Sequence, residues 1–227
     1  MMSYLGYLLF GVYPYVAGTV FILGSLIRFE REQFTWKAHS SQMLNDRNLR
    51  LASNFFHVGV LMIFGGHLFG LLTPPEVFHV LGVSASAKQI VAIVAGGFFG
   101  GLCFVGLTML VRRRLTDSRL KATSSRMDVV ILLVLYAQLT LGLLTIPFSL
   151  MHLDGHNMLQ LMTWARNIVT LDPQQAVPAL AEIGLLFKVH LLLGMTVFLL
   201  FPFSRLVHIW SVPVGYPVRP YQVVRQL

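Results

Sequence analysis

The sequence predicts an all-α integral membrane protein: a bundle of five transmembrane helices, with the N-terminus outside and the C-terminus cytoplasmic. Three observations predict it. Of 227 residues, 56% are hydrophobic and 11% charged, and the mean hydropathy of +0.71 lies far from that of a water-soluble domain. Apolar stretches run near 4–27, 52–73, 89–111, 128–151 and 185–210, each at or beyond the roughly 20 residues that cross a bilayer as a helix. The net charge of +8 is divided by side: of 17 Lys and Arg, all but Lys88, Arg166 and Lys188 fall between spans 1 and 2, between spans 3 and 4, or from the end of span 5 onward. Basic loops stay cytoplasmic, so this charge reports topology and not affinity for nucleic acid.

Each element follows in turn. Span 1 has neither a basic leading segment nor a small-residue cleavage site, so it reads as a retained helix and not a signal peptide. Span 2 closes at Pro74-Pro75, a helix-ending signal. Span 3 opens at Lys88 and carries Gly96, Gly97, Gly100 and Gly101, two small-xxx-small pairs that predict helix packing. Pro14, Pro147 and Pro202 lie within spans, where they kink helices and are tolerated. The longest outer connection, 152–184, contains LQLMTWARNIV, which predicts a short interfacial helix anchored by Trp164. No segment outside the spans is long enough for a soluble core. The chain therefore reads as one membrane domain over 1–227, with a cytoplasmic tail from about 211.

Four histidines carry the chemistry. His57 and His67 lie in span 2, His190 and His208 in span 5. An imidazole in hydrocarbon keeps a donor and an acceptor that cost several kcal/mol if unpaired. One such residue is commonly an interhelical hydrogen bond; two on each of two helices point to axial ligands of two haems. His57 and His67, ten residues apart, lie roughly 15 Å along a helix and about 80° around it. His190 and His208, eighteen apart, lie roughly 27 Å along a continuous helix and share a face. Spans 2 and 5 are antiparallel, which pairs His67 with His190 toward the outside and His57 with His208 toward the cytoplasm. The two rises do not match; tilt, unequal haem orientation or a kink at Pro202 has to absorb the difference. Cys103 is the sole cysteine, so haem attached through Cys-x-x-Cys-His and iron–sulfur clusters are excluded. Any haem is non-covalent and b-type.

Other residues carry two readings each. Gly59, Gly65, Gly66, Gly70 and Gly194 flank the histidines and either make room for a flat macrocycle or pack helices. Arg205, three residues before His208, either pairs with a haem propionate or snorkels to the interface. Lys88 is either an interfacial anchor or a polar contact to a quinone head group. His152, Asp154 and His156 in HLDGH read as a solvated turn sooner than a metal site, and His39 and His79 as loop residues. No Asp, Glu, Lys or Arg lies deep in a span, which argues against a proton pump or transporter. Two six-coordinate haems leave no open iron position, so electron transfer across the membrane remains.

The segments VYPYVAGTVFILGS, FTWKAHSSQML, NLRLASNFFHVGVLMIFGGHLFGLLTP, LGLLTIPFS and HLLLGMTVFLLFPFSRLVHIWSVPV resemble the gamma subunit of respiratory nitrate reductases, over nearly the whole chain. The resemblance implies a dihaem cytochrome b in the bacterial cytoplasmic membrane, with His67 and His190 on the distal haem and His57 and His208 on the proximal one. It implies oxidation of menaquinol or ubiquinol near the distal haem, at positions matched by Lys88 and Gly66. Electrons would pass to an iron–sulfur beta subunit and then to a molybdenum alpha subunit that reduces nitrate, so that the circuit contributes to proton motive force. The basic loops, Trp36, Tyr216, Tyr221 and the tail are expected to dock the soluble partner. A related haem b quinone subunit of another redox complex, and a haem-free anchor or transporter subunit, are the alternatives.

Overall fold

The computed structural model describes residues 4–32, 34 and 47–211; Trp36, His39 and the tail from 212 onward lie outside the described residues. Helix α1 spans Tyr4–Arg31 and α2 spans Arg47–Leu72. A short α3, Pro75–Val80, leads to α4, Ala85–Thr116, and α5, Ser118–Thr123. Then follow α6, Arg126–Leu150, α7, His156–Val169, α8, Pro173–Ala179, and α9, Leu185–Leu200. Beyond α9 come two 3₁₀ segments, Phe201–Phe203 and Arg205–Ser211. No strand occurs among the described residues.

Five helical stretches are long and apolar enough to cross a membrane: Tyr4–Arg31, Asn48–Leu72, Ala85–Thr116, Arg126–Leu150 and Leu185–Phe203. Alternate crossings give the bundle a basic end, with Arg28, Arg50, Arg112, Arg113, Arg114 and Arg126, and a far end where α3, α7 and α8 lie. Helix packing runs in a chain: α2 on α4, α4 on α6, α6 on α9, α9 on α1. Small residues set the closest approaches. A Cβ at Gly106 would lie 2.5 Å from the Phe56 backbone nitrogen, and one at Gly59 2.8 Å from Cys103 Cα. Within α4, Gly100 presses on Leu143 of α6, while Gly96 and Gly101 face open space. The expected glycine packing is thus made by Gly100, Gly106 and Gly59, not by the whole Gly96–Gly101 group.

Caps fix the helix ends. Ser84 Oγ accepts from the Ala87 N–H at the start of α4. Ser125 and Asp128 form a reciprocal capping box at the start of α6. At its other end, the buried Gln89 amide donates to the Ser149 and His152 carbonyls, at 3.0 and 2.6 Å. The Ser149 carbonyl also accepts from the His152 N–H at 3.3 Å, so Gln89 supplements the end of the helix, where carbonyls lack the usual intrahelical donors.

The far end differs from expectation at Trp164. It is only 4% exposed, in a cluster with Phe10, Ala165, Ala176, Val177, Leu180 and Ile183, and so is a core residue and not an anchor at the lipid interface. Its indole donates to the Phe10 carbonyl at 3.0 Å. The local reason is Pro14, which has no N–H to return to that carbonyl four residues back. Phe10 lies in a π-helical turn, Leu8–Val12, as commonly found where an α-helical ladder is interrupted. Helix α7 therefore forms as predicted, packed on α2 and α4, with Trp164 turned inward onto α1.

Candidate functional site

The four histidines form two pairs. The His67 and His190 ring centres are 6.2 Å apart near the far end, and those of His57 and His208 are 6.5 Å apart near the basic end. His57 and His67 stand on α2, His190 on α9 and His208 on the 3₁₀ segment after it, and α2 and α9 are not among the pairs of helices that pack closely. Gly65, Gly66 and Gly70 of α2 face space in which an added Cβ would meet nothing within 4 Å. Gly59 and Gly194 do not share in it: the first backs onto Cys103, and a Cβ on the second would lie 3.1 Å from Gln138 Nε2.

The donor chemistry of each ring is set by its backbone. His57 Nδ1 lies 2.7 Å from the Ser53 carbonyl, His67 Nδ1 2.8 Å from the Ile63 carbonyl, and His208 Nδ1 2.6 Å from the Arg205 carbonyl. A carbonyl accepts, so Nδ1 carries the proton and Nε2 keeps its lone pair. This arrangement orients metal-ligating imidazoles. His190 differs. Its buried Nδ1 completes no hydrogen bond, and its ring lies over Gly142 of α6, where an added Cβ would come within 3.0 Å of Cε1.

These distances distinguish two uses of an imidazole pair. Rings hydrogen-bonded nitrogen to nitrogen would have centres about 5 Å apart. Rings clasping one metal ion, with nitrogens about 2 Å from it on each side, have centres roughly 6 Å apart. Both pairs match the second spacing. With this spacing and the Nε2 lone pairs of His57, His67 and His208 available, the residues fit two bis-histidine haems. Among the described residues no group of three or more His, Cys, Asp or Glu is placed to hold a metal ion.

The break after α9 resolves the mismatch in rise. Span 5 does not continue as a helix to 210: α9 stops at Leu200, Ser204 is extended at φ −117° and ψ 176°, and His208 lies in a 3₁₀ segment. Proline at 202 removes a backbone donor where the helix would continue. Arg28 takes over the carbonyls left at this end, donating to Pro202 at 2.7 Å and Ser204 at 2.9 Å.

The remaining predicted residues are placed as follows. Lys88 Nζ donates to the Gly70 carbonyl at 2.8 Å, contacts Met162 Sδ at 3.0 Å, and lies 3.7 Å from the Phe78 ring centre. It therefore joins α4 to the last turn of α2, three residues beyond His67. Arg205 gives Nε to Asp128 at 2.8 Å. In the HLDGH turn, the His152 carbonyl accepts from Gln89, Gly155 adopts φ +81° against Ala85, and His156 lies 3.4 Å from Glu182. His79 is exposed at the end of α3. Sequence reasoning missed Asp128, Gly142 and Gln138. Only Asp128 carried a signal: the Ser-x-x-Asp spacing of a helix start.

Comparison with known proteins decides the family. The family model described as nitrate reductase gamma subunit matches residues 6–227. The chain belongs to that family. It is 49% identical to respiratory nitrate reductase 1 gamma chain of Escherichia coli (strain K12), over 99% of each chain. It is 47% identical to the respiratory nitrate reductase 2 gamma chain of the same organism, again over 99% of each. A nitrate reductase gamma chain of Bacillus subtilis (strain 168) is 37% identical, over 97% of this chain and 98% of its own. This gamma subunit is thus a multi-pass membrane subunit of a nitrate reductase, an oxidoreductase complex.

Proposed function

We propose that this gamma subunit oxidises membrane quinol at the far end and delivers the electrons across the membrane to an iron–sulfur beta subunit, which serves a molybdenum alpha subunit where nitrate is reduced. The observation that carries the reading is the two histidine pairs at two depths, each with the spacing of a clasped metal ion. Two b-type haems, one on each pair, supply one-electron carriers at those depths. His67 and His190 would hold the far-end group, and His57 and His208 the basic-end group. The carbonyls of Ser53, Ile63 and Arg205 hold the protons at Nδ1 and so keep three Nε2 atoms basic.

The basic end is cytoplasmic by its arginines, which puts the N-terminus and the far end outside. There the Lys88 ammonium is held beside Gly70 and Phe78, with a hydrogen available for a quinol oxygen, and Gly66, one helical turn before Gly70, has open space at its Cα. Protons released from quinol outside, with protons consumed at nitrate inside, separate charge without any pump. The absence of deep ionisable side chains from the spans agrees with that economy.

Haem per protein tests the reading, counted with optical and EPR spectra on the purified complex. The parent should show two b-type haems, and His208→Ala should show one, at the far end. A colourless, folded complex, or two haems retained in His208→Ala, overturns it.

A further inference from the structure

The basic-end ligand is held differently from the others. His57, His67 and His190 stand on long helices, whereas His208 stands on a 3₁₀ segment, Arg205–Ser211, that follows an extended residue. Such segments have poorer hydrogen-bond geometry than an α-helix and are uncommon beyond three or four residues, and this one runs for seven. Something outside the segment has to fix it.

We propose that Asp128 is a positioning residue for His208, acting through Arg205. Asp128 Oδ1 accepts from Arg205 Nε at 2.8 Å, and the Arg205 carbonyl accepts from His208 Nδ1 at 2.6 Å. The carboxylate is itself fixed, because Oδ2 accepts from the Ser125 N–H at 3.1 Å while the Asp128 N–H donates to Ser125 Oγ at 3.1 Å. Asp128 is 7% exposed, so both oxygens are committed, one to the start of α6 and one to the guanidinium. A buried carboxylate without its partner is strongly unfavourable, and Arg205 is the only ion-pair partner it has among the described residues. The helix start of one span thereby sets the place of a ligand borne by another. Arg28 fixes the upstream side of the same segment through the Pro202 and Ser204 carbonyls, so His208 hangs between two charge-assisted contacts.

The inference rests on the assignment of His57 and His208 to the basic-end haem. Its test uses the purified complex with Asp128→Asn, Asp128→Glu, Ser125→Ala and His208→Ala. Haem per protein, the EPR signal of each low-spin haem and each midpoint potential are read. Asp128→Asn should weaken basic-end haem retention about 10- to 100-fold, the usual cost of losing an outer partner of a metal ligand, or shift that haem's signal and potential. The far-end haem should stay unchanged and so reports an intact fold. Asp128→Glu should restore part of the parental signal. Ser125→Ala removes only the Oγ half of the cap, keeps both the Ser125 N–H on Asp128 Oδ2 and the Arg205 contact, and should leave the basic-end haem as in the parent. Parental signals in Asp128→Asn, or an equal loss in Ser125→Ala, overturn the role of Asp128. Two haems in His208→Ala overturn the ligand assignment itself.

Discussion

The replacement of Gly142 by alanine is the most exacting test of the far-end pair. The His190 ring approaches α6 closely by its Cε1 edge because residue 142 has no side chain. An added Cβ would lie 3.0 Å from Cε1, 3.5 Å from Nε2 and 3.7 Å from Nδ1. Carbon atoms in contact prefer about 3.5–4.0 Å, so ring and methyl must separate by roughly half an ångström or more. Helix α6 is not free to retreat, since Gly100 of α4 already presses on its Leu143 on the next residue. The displacement therefore falls on the imidazole. Metal–ligand distances tolerate only about ±0.2 Å, so a ring displaced by that much cannot keep its bond unstrained.

Inserting a methyl into a close-packed contact typically costs about 1–3 kcal/mol, which at 1.4 kcal/mol per decade weakens binding roughly 5- to 140-fold. The assay is haem per protein in the purified complex, with the two low-spin haems resolved by EPR and by redox titration. Gly142→Ala should lose or shift the far-end haem and spare the basic-end one. Gly96→Ala, where an added Cβ meets nothing within 4 Å, is the control and should bind both. Two haems with parental signals in Gly142→Ala would refute the claim that His190 is seated by that glycine.

Two further outcomes follow from the far end. Lys88→Ala should slow haem reduction by quinol analogues while dithionite, which needs no pocket, still reduces both haems; parental quinol rates would leave Lys88 as a clasp between α4 and Gly70. Trp164→Phe strands the Phe10 carbonyl that Pro14 cannot serve, so the purified protein should lose about 1–3 kcal/mol of stability, read as a lower thermal midpoint with haem content unchanged; an unaltered midpoint would count against that hydrogen bond.

What could be read from the sequence was what hydrophobic length and chemical rarity report. The five spans appear as apolar runs because every peptide group in lipid must be paired within a helix, and the four histidines stand out because imidazole is costly there. Their pairing followed from strand-like logic applied to helices: an odd number of crossings makes spans 2 and 5 antiparallel. The supports of the ligands were not legible. Gly142 is one glycine among 19, and only its contact with His190 marks it out. Asp128 stands at a helix start, where an acidic residue is ordinary, and its meeting with Arg205 joins residues 77 apart in sequence. The sequence around Trp164 predicts an interface anchor because an amphipathic helix with tryptophan usually lies at the headgroups. The π-helical turn that offers it a buried carbonyl leaves no trace in composition.

The break after α9 follows from the histidine spacing itself. His57 and His67 are ten residues apart on α2, a rise of about 15 Å. From His190, ten residues reach Leu200, where α9 ends, so the helix stops at the depth of the second pair. Had it continued, His208 would lie about 12 Å beyond that depth, out of reach of His57. The 6.5 Å between the His57 and His208 rings therefore requires that the last eight residues not run along the helix axis. Pro202 ends the ladder, Arg28 satisfies the exposed carbonyls, and Asp128 holds Arg205. Each of these solves a problem that the spacing of two ligand pairs creates. A continuous apolar helix, which hydropathy alone favours through residue 210, is incompatible with both pairs being formed at once.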